Sequence, residues 1–124
     1  MYLQFSTLLY RIEDIFSPNE KAWIMFGAHP HHADELSYEN ALHLESLLDC
    51  YSAKVVALGE IGLDYSENNT VHPNRQKAAF LMQLKIALRR QLPICLHIRE
   101  DDDDAFEILE QAKVPENYPI HLHW

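Results

Sequence analysis

The sequence predicts an α/β domain built on a parallel sheet, and three observations carry that prediction. Short apolar runs suited to buried strands alternate with amphipathic segments of helical period. The alternation runs on with no low-complexity linker to divide the chain. Side chains able to bind a metal recur near the ends of the apolar runs, at intervals of about 30 residues, the length of one βα unit. The 124 residues suffice for one ordinary domain, and an apolar content of 48% is enough to bury a core.

The elements follow in order. Residues 2–16, "YLQFSTLLYRIEDIF", carry apolar residues on a loosely helical pattern that Ser17 and Pro18 stop. "AWIMFGAH" (22–29) reads as a buried strand, and the polar "HPHHADELS" follows it as a connection. A helix is expected near 38–51, where Ala41, Leu44, Leu47 and Leu48 share one face. "KVVALGE" (54–60) is the next strand and "SENNTVHPN" a loop. Pro73 suits the first turn of a long helix over 73–91. Phe80, Leu84, Ala87 and Leu88 mark its inner face, and Lys77, Lys85 and Arg89 its solvated one. "LPICLHI" (92–98) is a strand, "EDDDDAFEILEQA" a helix with an acidic first turn favoured by the helix dipole, and "YPIHLHW" (118–124) a last strand. Four strands alternating with helices imply βαβ units with right-handed crossovers.

Composition narrows the function. The formal net charge is -9, with 10 basic and 19 acidic residues, which argues against a broad basic surface for nucleic acid. A nucleic-acid enzyme whose cations supply local positive charge stays open. Cys50 and Cys95 belong to no close metal-binding pair and read as reduced thiols. No apolar run approaches the ~20 residues of a membrane span, and the N-terminal segment lacks a signal-peptide pattern. The expectation is a cytoplasmic or nuclear protein with no membrane contact.

The eight histidines are the compositional oddity. In βα architectures, chemistry collects at the carboxyl ends of the strands. The apolar runs end in or carry His29, Glu60, His97, and the pair His121 and His123. Each histidine alone reads equally as a hydrogen-bonded core residue, and His121 and His123 could simply face a polar interior. Their recurrence on successive strands points to a metal-binding rim. Imidazole and carboxylate together suit zinc, manganese or other first-row ions, and the carboxylate helps magnesium. Such a rim could hydrolyse a phosphodiester with two ions, or an amide or ester with one.

"GAHPHH", "ALGEIGLDY", "HPNRQKAAFLMQLKIA", "LPICLHIRE" and "IHLHW" together resemble, in order and spacing, the TatD-type metal-dependent deoxyribonucleases. The resemblance spans about residues 23–124 of a single domain over 1–124. "GEIGLDY" is its most specific part, and Gln76, Phe80, Gln83, Leu84 and Ala87 support it. It implies an eight-stranded (β/α)8 TIM barrel of which this chain is a part. It implies hydrolysis of DNA phosphodiesters, commonly 3′-to-5′, with two divalent ions (Mg, Mn or Zn) per complete site. On it, Glu60 is the catalytic carboxylate that bridges two cations, and His97 and His123 are ligands of one of them. His29, His31 and Arg99 lie near the substrate phosphate. Asp64 has no ligand role in the resemblance and is expected to shape its loop through backbone amides.

The family's first-strand His-x-His pair and last-strand aspartate have no counterpart in the sequence. By its motifs the chain carries the third to sixth strands, against the ~250 residues of a full barrel. Unpaired strand edges and exposed apolar residues such as Val55 and Ile94 are then expected, with self-association through the edges. Nuclease activity of these residues alone is expected to be weak. The rival readings are a half-barrel with an interaction role, and an amidohydrolase-like enzyme acting on amides or esters.

Overall fold

The computed structural model of the chain describes residues 2–4, 23–100 and 102–123. Five strands form one sheet: β1 (Tyr2–Gln4), β2 (Ile24–Gly27), β3 (Val55–Asp64), β4 (Ile94–Arg99) and β5 (Ile120–His123). They lie in chain order and every neighbouring pair is parallel. Three α-helices separate the later strands: α1 (Tyr38–Cys50), α2 (Pro73–Arg90) and α3 (Asp102–Gln111). The expected βα alternation and parallel sheet are therefore present, and the architecture is that of a partial (β/α)8 barrel.

The short apolar runs become strands because each is covered by helix. Phe26, Leu58, Ile61, Leu63 and Leu96 pack with Leu44 and Leu48 of α1 and Phe80 and Leu84 of α2 in one buried cluster. Each such side chain contributes about 1.5–3 kcal/mol by leaving water. Ser37 caps α1 by accepting from the Asn40 amide at 3.1 Å. Pro73 opens α2, as expected, and the His72 ring caps it through Nδ1 and the Asn74 amide. Glu45 on α1 pairs with Arg89 and Arg90 of α2, and Arg90 also reaches Asp49 at 2.7 Å.

Four sequence expectations need correction. Tyr2–Gln4 is a strand in register with Met25–Gly27, whereas a helix was expected over 2–16; the remainder of that stretch lies outside the described residues. Periodicity cannot separate helix from strand over so few residues, and pairing with β2 decides. The polar "HPHHADE" connection contains a 3-10 helix, Pro30–Glu35, started by the His29 cap and Pro30. Strand β3 does not stop at Glu60 but continues to Asp64, because Ile61 and Leu63 are fully buried against the helices. Ile94 is buried at 1% exposure and Val55 is half-buried, so neither is an exposed interior residue: Ile94 faces the helical core.

Two glycines of "LGEIG" are dictated by close packing. A Cβ on Gly59 would lie 2.6 Å from the Cys95 Cβ. Gly62 has φ of 146°, and a Cβ there would lie 2.0 Å from the His97 carbonyl oxygen. Strands β3 and β4 can approach this closely only without side chains at those points. Cys50 and Cys95 carry free thiols, as expected. Among the described residues no helix is long and apolar enough to cross a membrane.

Candidate metal centre

Glu60 owes its position to an irregularity in β3. Gly59 is in register with Cys95 and Ile61 with Leu96, which leaves Glu60 as the extra residue between consecutive partners. A bulge of this kind re-aims a side chain, and bulges gather at barrel rims and active sites. Here it turns the Glu60 carboxylate toward two histidines. Its Oε2 lies 3.9 Å from His29 Nε2 and 3.8 Å from His97 Nδ1. One ligand atom from each of Glu60, His29 and His97 falls within 4.8 Å of the others. The His29 and His97 rings are 4.5 Å apart by centroid, and His31 stands edge-on to His29 at 4.8 Å.

The backbone that carries these side chains is clamped from α2. Gln83, 1% exposed, accepts from the Ala28 amide at 2.7 Å and donates to the Ala28 carbonyl at 3.2 Å, one residue before His29. Gln76, 2% exposed, treats Asp64 in the same way, at 2.8 and 3.1 Å. The two glutamines are seven residues apart, two turns on one face of α2. Asn69 adds a bond to the Asp64 carbonyl at 2.9 Å. These three amides satisfy backbone groups at strand ends that would otherwise be buried without partners.

Hydrogen bonds distinguish the histidines chemically. His29 Nδ1 accepts from the His31 amide at 3.1 Å. A backbone amide only donates, so Nδ1 is the unprotonated nitrogen and Nε2 carries the proton of the neutral ring. Burial lowers the His29 pKa to about 4, and neighbouring His97 and His31 add to the effect. The ring is therefore neutral near pH 7 and presents an N–H, not a lone pair, to the Glu60 side. His97 is the opposite. Its Nε2 lies 3.1 Å from Asp64 Oδ2, which leaves Nδ1 facing Glu60.

Asp64 is 1% exposed. Burial opposes its ionisation, but hydrogen bonds from Ser66, His31 and His97 outweigh that and hold the carboxyl well below its usual range. Its Oδ1 accepts from the Ser66 amide at 2.9 Å, the loop-shaping contact expected from the sequence. The sequence reading missed the other oxygen, which meets His31 at 2.7 Å and His97 at 3.1 Å.

The remaining candidates are placed as follows. His123 is the backbone neighbour of His97 in the β4–β5 register, and His121 that of Cys95. His121 lines a cavity of about 540 Å³ on the sheet, together with Met25, Ala57, Glu60 and Cys95. Arg99 is exposed at the end of β4, in register with Asp64, and is not drawn into the histidine cluster. Of the residues singled out in the sequence, the structure brings His29, His31, Glu60 and His97 together in one locality.

A parallel βα sheet with histidine and carboxylate donors gathered by its strand ends defines the class: a segment of a (β/α)8 barrel with a site of the kind that holds divalent cations. Residues 4–124 match the profile described as TatD related DNase. The chain belongs to that family. It is 40% identical over 101 residues to the human 3'-5' RNA nuclease TATDN2, covering 82% of this chain and 13% of that protein. It is 44% identical over 88 residues to the 3'-5' ssDNA/RNA exonuclease TatD of Pantoea sp. (strain At-9b), covering 71% and 33%. The chain thus spans a third or less of these relatives. Among solved structures, YJJV, a TatD homologue from Escherichia coli K12, superposes with a TM-score of 0.70 at 30% identity, over 93% of this chain and 44% of that one. A hydrolase TatD family protein from Entamoeba histolytica gives 0.71 at 21% identity, over 91% and 40%, a likeness of fold.

Proposed function

We propose that the chain forms the central part of a divalent-metal-dependent nuclease that removes nucleotides 3′-to-5′ from single-stranded DNA or RNA. The observation that carries this reading is the Glu60 carboxylate held between His29 Nε2 and His97 Nδ1. RNA stands beside DNA because the names of the relatives include both.

The donor set fits a cation. Glu60 offers an anionic oxygen and His97 a lone pair on Nδ1, a mixture suited to Mg, Mn or Zn. Glu60, His97 and, by its register beside His97, His123 are the residues that would hold one ion; a complete barrel would take two. When bound, a cation supplies Lewis acidity toward a phosphoryl oxygen and makes a water more acidic.

This chain's own residues then divide the work. Glu60 holds negative charge where a cation needs it. His29 keeps its proton on Nε2 and donates it in a hydrogen bond to a phosphate oxygen, so it is a substrate-binding residue and not a ligand. His31 approaches the same phosphate from the 3-10 helix, and Arg99 meets the next one along the strand from the rim. Hydrolysis of amides or esters by a single ion would use the same N–H at an oxyanion; the nuclease names of the relatives favour the phosphodiester.

Two substitutions test the reading in the full-length protein to which this segment belongs, with Mn²⁺ and end-labelled single-stranded oligonucleotides. Glu60→Gln is expected to abolish both cation binding and hydrolysis. His29→Asn keeps a side-chain acceptor for the His31 amide but lacks the distal donor. It is expected to leave cation affinity unchanged while kcat/KM falls by about 10²–10³-fold. Unimpaired hydrolysis by Glu60→Gln would refute the proposal.

A further inference from the structure

Asp64 ends β3 beside the histidines yet is packed like a core residue, and each of its polar groups has a partner. Its amide donates to Gln76 Oε1 at 2.8 Å, and its carbonyl accepts from Gln76 Nε2 at 3.1 Å and Asn69 Nδ2 at 2.9 Å. Oδ1 accepts from the Ser66 amide at 2.9 Å. Oδ2 is shared between His31 Nε2 at 2.7 Å and His97 Nε2 at 3.1 Å. A turn-forming role accounts for Oδ1 alone. Nothing about the turn requires the second oxygen to touch two imidazoles on different elements.

An ionised carboxylate only accepts, so both rings present N–H at Nε2. For the neutral His97 ring this leaves the lone pair on Nδ1, the nitrogen 3.8 Å from Glu60 Oε2. We propose that Asp64 is a positioning residue that selects which nitrogen of His97 faces the cation and holds the His31 ring beside it. It thereby joins the metal-ligating strand to the turn that meets substrate. This inference rests on the reading of Glu60 and His97 as cation ligands. Carboxylate partners of ligating histidines fix the tautomer and ring orientation, and their loss typically costs about 10–100-fold in metal affinity.

Asp64→Asn is the informative variant, because it preserves size and can still accept from the Ser66 amide. Its NH2 then faces the two imidazoles, so a donor replaces an acceptor and His97 is driven to carry its proton on Nδ1. Mn²⁺ affinity is expected to fall about 10–100-fold. Imidazole ¹⁵N spectra of the metal-free protein are expected to report a protonated Nε2 on His97 in the wild type and a protonated Nδ1 in the variant. His31→Ala leaves the Asp64–His97 contact in place, so Mn²⁺ affinity should be kept while oligonucleotide binding weakens. If Glu60→Gln leaves Mn²⁺ affinity unchanged, the underlying site reading fails. If Glu60→Gln abolishes binding but Asp64→Asn matches the wild type in affinity and tautomer, this inference alone fails. Should Asp64→Asn not fold, the wild-type spectrum decides: a protonated Nδ1 on His97 overturns the proposal.

Discussion

Gln83 and Ala28 form a closed pair of hydrogen bonds across 55 residues of chain: the Ala28 amide donates to Oε1 at 2.7 Å and Nε2 donates back to the Ala28 carbonyl at 3.2 Å. The side chain imitates a neighbouring strand at the point where β2 ends and His29 begins. Gln83→Leu retains bulk but leaves both Ala28 groups buried without partners. It is expected to cost about 2–3 kcal/mol in urea unfolding. Gln83→Glu, which can accept but not donate when ionised, should fall between that variant and wild type. Equal stability of all three proteins would rule out the clamp.

Gly62 is expected to tolerate no side chain. Alanine there combines a φ of 146° with a Cβ lying 2.0 Å from the His97 carbonyl. Gly62→Ala should lose about 3 kcal/mol or more, visible as a large fall in thermal midpoint or loss of the folded circular dichroism spectrum. Because the clash is with the backbone of His97 itself, any folded residue of that variant should also bind Mn²⁺ poorly. A wild-type melting curve would contradict the close β3–β4 approach.

Acid should weaken the metal-free protein in a defined direction. His29 has its pKa lowered from 6.5 to about 4, chiefly by burial and further by His97 and His31. The unfolded chain therefore takes up a proton that the folded chain refuses, and stability falls as pH drops through that window. Asp64 acts in the same sense at lower pH, since its folded carboxyl is held below the usual range and its stabilisation is lost as the pH falls. Urea midpoints should be flat near pH 7 and decline below about pH 6.5, with a total loss of roughly 3 kcal/mol from His29. His29→Asn should flatten the upper part of that decline. An unchanged profile would remove His29 as its source.

Much of the fold was readable because its strands are short continuous apolar runs and its helices carry a clear inner face. Leu44, Leu48, Phe80 and Leu84 fall where the helical period puts them. The boundaries of β3 were not readable in the same way, since strict alternation is lost within "LGEIG" and glycines there look like a turn. The signal was nonetheless present: Leu58, Ile61 and Leu63 are all apolar and all buried, and a step of three within a strand requires one extra residue. Glu60 and His97 were legible from strand-to-strand recurrence. The glutamines were harder, because a polar residue on a helix is ordinarily assigned to solvent. Gln76 and Gln83 share the face that carries Phe80 and Leu84, and that placement is what marks them as buried clamps. The second oxygen of Asp64 was invisible in sequence because its partners come from the 3-10 helix and β4, 33 residues away on either side.

The irregularity at Glu60 lets β3 keep its apolar side chains on the helices across a step of three: Leu58, Ile61 and Leu63 are all buried there, with one residue to spare between the first two. Gly59 pairs with Cys95 and Ile61 with Leu96, consecutive positions of β4, so a strand lacking residue 60 would run through the same register without a bulge. Leu58 and Ile61 would then be two apart and would both still face the helices. The core therefore does not ask for the extra residue. Position 60 is held by the site it serves, and what its removal would take away is the carboxylate aimed at His29 and His97.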